Sequence, residues 1–84
     1  MAVSAPTANA VLTFLVKQLV EEPDAVTIVE VEGRRGNVQL EVRTADGDMG
    51  RVIGRRGRTA QSIRTVVRAA AAKDGVDVDV DFAD

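Results

Sequence analysis

Residues 51–64 read RVIGRRGRTAQSIR, with a glycine–arginine–arginine–glycine tetrad at Gly54–Gly57 set between two helical segments. Upstream, TADGDMG is turn chemistry, and Asp48 is placed to N-cap a short helix through Ile53. Downstream, a longer helix runs to about Lys73. Ala60, Ile63, Val67, Ala70 and Ala71 form its apolar stripe, while Arg64 and Arg68 share an exposed face with Arg58 and Gln61 nearby. A loop placed just before a helix N-terminus meets unpaired amides and the positive end of the helix dipole, which together favour an anion. Glycine at both ends lets a sugar-phosphate chain approach the backbone, and Arg55 and Arg56 can then flank phosphates without reading any base.

Working outward, residues 1–6 are small and featureless and are expected as a flexible N-terminal tail, with one domain over 7–84. Val11, Leu12, Leu15, Val16 and Leu19 recur at helical spacing in a helix over 7–22, with Thr7 as its cap and Pro23 as its stop. VTIVEVE reads as a strand in which Ile28 and Val29 break the alternation and suggest a bulge. A second copy of the tetrad, Gly33–Gly36, follows as a hairpin tip with Arg34 and Arg35 exposed. Val38, Leu40 and Val42 then alternate with Gln39, Glu41 and Arg43 in a strand with one wet face, and VDVDVDF at 76–82 closes the chain with strict alternation. The order α-β-β-α-α-β predicts an α+β domain. The first two strands pair antiparallel, the last lies parallel to the second after a two-helix crossover, and all three helices cover one face. Arg43 is expected to offset repulsion among the aspartates on the other face.

Composition narrows the chemistry. Eighty-four residues make one small domain. Without cysteine or histidine there is no disulfide, no thiol chemistry, and neither the commonest metal ligand nor the commonest neutral-pH base. No Walker lysine follows the glycines and the acids form no metal cluster, so a non-catalytic protein with no cofactor and no metal is expected. No apolar run approaches a membrane span and no basic signal region opens the chain, which makes a cytoplasmic location and no membrane contact the expectation. Net charge is only −2, but it is segregated: from Asp48 to Lys73 seven basic residues face one acid, and from Asp74 onward five aspartates have no base among them. One basic binding face inside a mildly acidic protein follows. The only aromatics, Phe14 and Phe82, read as core, so base-stacking platforms are lacking.

Val52-Ile53-Gly54-Arg55-Arg56-Gly57 followed by Ile63 resembles the V-I-G-x-x-G-x-x-x-x-x-I signature of the KH domain. The element order is similar to the prokaryotic, type II arrangement. The resemblance covers about Ala8 to Phe82, and EEPDAV, VEG, GRVIGRRGRTAQSIR and AAAAKDG are similar to the small stand-alone bacterial KH RNA-binding proteins of the KhpA type. Such a family clamps about four nucleotides of backbone with its GXXG loop and seats unstacked bases in an aliphatic groove. The resemblance therefore implies phosphate contacts at Gly54, Arg55, Arg56 and Gly57. It further implies a groove lined by Val52, Ile53 and Ile63, with Val52 and Ile63 reading equally as core, and backbone or base-edge contacts from Arg51, Arg58 and Arg64. Arg34 and Arg35 are candidates for a secondary contact from across the groove, weaker than the clamp. Ala60 departs from the larger aliphatic residue of many KH domains, so base preference does not carry over. The function implied is single-stranded RNA binding as an RNA chaperone or post-transcriptional regulator, with single-stranded DNA accepted in principle. The alternative is a protein-interaction module, self-associating or pairing with a larger multidomain KH protein linked to cell elongation and division.

Overall fold

The computed structural model describes residues 4–83 of the 84-residue chain. Its order is α1 (Pro6–Leu19), β1 (Thr27–Glu32), β2 (Val38–Arg43), α2 (Met49–Ile53), α3 (Arg58–Ala71) and β3 (Val78–Phe82), an α+β arrangement in the expected sequence. The sheet order is β1-β2-β3, with β1 antiparallel and β3 parallel to the central β2. Alternation explains the layering. Val38, Leu40 and Val42 of β2 and Val78 and Val80 of β3 turn inward against Leu12, Val16, Val52, Ile63 and Val67, forming one core between sheet and helices. Among the described residues no helix is long and apolar enough to cross a membrane.

Helix α1 corrects the reading of the N-terminus. It begins at Pro6, a residue suited to the first helical turn, and Ala5 is fully buried, so the fold starts before the 6/7 boundary expected from sequence. The part of the expected flexible tail at residues 1–3 lies outside the described residues. Thr7 is no cap. Its amide and that of Ala8 donate to the two carboxylate oxygens of Asp74 at 2.9 Å each, while Glu30 accepts the amide of Ala5 at 3.0 Å. The helix ends at Leu19 rather than at Glu22. The amides just beyond it, Glu21 and Glu22, donate at 3.3 and 3.1 Å to Asp48. Asp48 does sit at the N-cap position of α2, yet it makes no cap there. Two carboxylates remote in sequence therefore satisfy the backbone at both ends of α1, where local side chains do not.

Three smaller expectations also change. The β1–β2 register runs one-for-one from Thr27↔Arg43 to Glu32↔Val38, so Ile28 and Val29 form no bulge. Val29 and Val31 simply lie on the outer face, where Val31 is exposed. Arg43 pairs with Glu41 of its own strand, and it is Arg68 from α3 that reaches Asp79, at 3.4 Å. Phe14 is 63% exposed and is no core residue.

Candidate nucleic-acid interface

The Gly54–Gly57 tetrad forms a tight turn between α2 and α3. Gly54 has φ +76° and ψ 178°, a backbone region open essentially to glycine alone. A Cβ there would lie 2.2 Å from Thr59 Oγ1, so glycine is required for space as well as for conformation. Arg56 takes the left-handed conformation (φ 59°, ψ 23°) and Gly57 follows it (φ 72°, ψ 12°). The loop closes through the Gly57 amide onto the Gly54 carbonyl at 3.2 Å. Left-handed arginine costs about 1–2 kcal/mol relative to ordinary helical geometry, and such strain concentrates at functional loops.

This geometry faces the start of α3, whose N-terminus has no side-chain cap and no acid in its first turn. The Arg58 amide donates back to the Arg55 carbonyl, so at this end of α3 it is the helix dipole that adds a partial positive charge. Among the described residues Arg55, Arg56 and Arg58 make no ion pair or side-chain hydrogen bond. Together with Thr59 they line an open cleft of about 320 Å³. Three uncommitted guanidiniums beside the positive end of a helix dipole form a basic site that suits a phosphodiester. Thr59 was missed in sequence; a hydroxyl in the first turn after a GXXG was the available signal.

The other expected residues divide. Arg51 is held back toward the α1–β1 connection, pairing with Glu21 and lying 3.6 Å from Asp48. Arg64 is half-buried against the edge strand β3: its Nε donates to the Val80 carbonyl at 3.3 Å and its guanidinium stacks 5.0 Å from the centre of the Phe82 ring. Val52 and Ile63 belong to the core at 0% and 4% exposure, leaving Ile53 as the half-buried member of the trio beside the loop.

Arg34 and Arg35 lie elsewhere. Arg64 sits over Phe82 and Arg68 beside Asp79, so α3 runs antiparallel to β3 and starts at the Phe82 end. The β1–β2 hairpin turns at the opposite end, next to Val38 and Val78. The two tetrads thus occupy opposite ends of the sheet, and Gly33–Gly36 does not face the clamp loop across a groove.

Comparison with known proteins agrees with this architecture. The family model described as KhpA/KhpB, KH domain, matches residues 9–82. The RNA-binding protein KhpA of Leifsonia xyli subsp. xyli is 52% identical over 73 residues, covering 87% of this chain and 92% of its own length. That of Streptomyces coelicolor is 51% identical over 69 residues (82% and 85%), and that of Borreliella burgdorferi 41% over 73 residues (87% and 88%).

Proposed function

The chain belongs to the KhpA/KhpB KH-domain family, and from that premise we propose that it is a non-catalytic, cytoplasmic binder of single-stranded RNA, acting as an RNA chaperone or post-transcriptional regulator. The observation that carries this reading is the loop at Gly54–Gly57, where unpaired Arg55, Arg56 and Arg58 surround the uncapped start of α3. Phosphates enter between the arginines at the start of α3, while Ile53 offers the aliphatic surface for an unstacked base. Arg64, already placed along β3, guides the backbone beyond the loop, and Arg51 reaches it only by leaving Glu21. Arg55→Asp with Arg56→Asp abolishes binding to a short single-stranded RNA in fluorescence anisotropy, with the circular dichroism spectrum unchanged. Wild-type affinity falls with salt at a log–log slope of about −0.7 per phosphate neutralised. Salt-independent binding, or full affinity in the double variant, overturns the reading.

A second reading rests on the outer face of α1 and α3. Leu15, Leu19, Ile63 and Val66 line an almost wholly apolar cavity of about 270 Å³, and Phe14 stands exposed on the same helix as Leu15 and Leu19. This surface suits pairing with another KH chain, either a second copy or a larger multidomain KH protein. Val66→Glu converts a dimer to a monomer in sedimentation if the face is used so, and leaves a monomer unchanged if it is not.

A further inference from the structure

The Gly33–Gly36 loop has the same backbone as the clamp in its last two residues. Arg35 is left-handed at φ 58°, ψ 32°, against 59° and 23° for Arg56, and Gly36 follows at φ +79° where Gly57 has +72°. Arg35 and Arg56 are the only non-glycine residues with positive φ among those described. In each loop the residue after the tetrad donates its amide to the carbonyl of the first arginine, Asn37 to Arg34 and Arg58 to Arg55. A hairpin does not need an arginine in this conformation. Among the described residues Arg34 and Arg35 make no ion pair or side-chain hydrogen bond, although Asp79 lines the same open cleft of about 420 Å³.

Between the two loops lies the α3–β3 edge, where Arg64 and Arg68 are the basic side chains. Arg64 covers β3 at Val80 and Phe82, and one turn further along α3 Arg68 neutralises Asp79. Arg68 lines a second cleft together with Asp77 and Asp79, and this cleft reaches Asn37, the residue after the hairpin tetrad. The outer face of the sheet beside this edge carries Glu41, Asp79 and Asp81, which disfavour an anionic strand lying on that face.

We propose that Gly33–Gly36 is a second phosphodiester-gripping loop, and that one RNA strand leaving the Gly54–Gly57 clamp follows the α3–β3 edge to reach it. The proposal rests on the RNA-binding reading above and deepens it. At a rise of about 3.4 Å per stacked nucleotide, the 35 Å length of the molecule holds at most about ten nucleotides. That exceeds the four of the clamp and lies within the usual range for single-strand binders.

Anisotropy with single-stranded RNAs of about 5 and about 12 nucleotides tests it, using the full chain. The wild type binds the longer strand roughly tenfold more tightly. Arg34→Gln with Arg35→Gln removes that gain, leaves the short strand unaffected, and reduces the salt slope on the long strand by about 1.4, two phosphates' worth. Arg35→Gly, which keeps the left-handed backbone and deletes the charge, moves the long-strand affinity in the same direction and guards against a folding artefact. No length gain in the wild type overturns the proposal, as does an equal loss on both lengths. Two short strands bound per chain, with no length gain, overturns the single-strand path in favour of two separate strands. If the wild type binds neither length, the RNA-binding reading itself fails and takes this one with it.

Discussion

Four identical letters occur twice in this chain, and the two tetrads agree in their second arginine and last glycine while differing in the first glycine and in what stands behind them. Gly54 occupies a glycine-only backbone region against Thr59, whereas Gly33 is extended at φ −91°, ψ −165°. Behind Gly57 stands a helix of 14 residues with an uncapped N-terminus; behind Gly36 stands a strand whose amides are committed to the sheet. The conformation of a short turn is thus a local property, set by glycine and the residues it frees. A helix start adds its dipole to the positive charge of such a loop and a strand does not, which ranks the two loops as anion sites.

Reversing the charges tests this difference most directly. On a short RNA, Arg55→Asp with Arg56→Asp is expected to cost about a hundredfold in affinity, since each phosphate contact becomes like-charge repulsion. Arg34→Asp with Arg35→Asp costs less than about threefold on the same strand, where only the clamp is engaged. Equal losses would erase the ranking of the two loops.

Stability separates the first glycines. Gly54→Ala loses about 3 kcal/mol or more in thermal or urea unfolding, from a conformation closed to alanine and a collision with Thr59. Gly33→Ala loses under about 1 kcal/mol, because its backbone is ordinary and the new methyl meets only the Asn37 carbonyl, at 3.2 Å.

A smaller effect distinguishes the two ends of the molecule through the carboxylates that hold α1. Partial burial of Asp74 disfavours its charge, but hydrogen bonds from the Ala8 and Thr7 amides and the Thr7 hydroxyl outweigh it, and the carboxyl titrates below its ordinary value. Its contribution is therefore fully present above the unfolded value of about 3.9 and is lost as pH falls through the lower folded value. Melting temperatures of Asp74→Asn should lie below wild type at neutral pH and converge with it in strong acid. A constant gap across that range would refute the assignment.

The least effect belongs to the left-handed arginines. Arg35→Gly and Arg56→Gly each relieve strain while adding unfolded-state freedom, so unfolding free energy should shift by no more than about 1 kcal/mol in either. Only Arg56→Gly should weaken short-strand binding. A large loss of stability in one and not the other would show that the matching dihedral angles conceal different local energies.

Much of the fold was legible because periodicity reports burial directly. The alternation of Val38, Leu40 and Val42 and the spacing of Ala60, Ile63 and Val67 placed β2 and α3 correctly, and turn residues placed the loops. The misreadings share one cause. Phe14 looked like core, Thr7 like a cap and Arg43 like the partner of the aspartates because residue type and local spacing favour those roles. The roles were instead set by neighbours distant in the chain: a helix face left uncovered, a carboxylate 67 residues away, and an arginine arriving from α3. Around the candidate site, the loop position of Arg55, Arg56 and the two glycines and the core stripe that includes Ile63 were readable, but the withdrawal of Arg51 to Glu21 was not.

By itself, then, the sequence determined the elements, their order, the core stripes and the loop positions of both tetrads, because each depends on residues within a few positions of one another. Tertiary structure alone decided which arginines stay uncommitted, which carboxylates close the ends of α1, and that the two tetrads stand at opposite ends of the sheet. Those outcomes depend on strand register and on the direction of α3 across the sheet, and so on distances that close only when segments remote in the chain pack together.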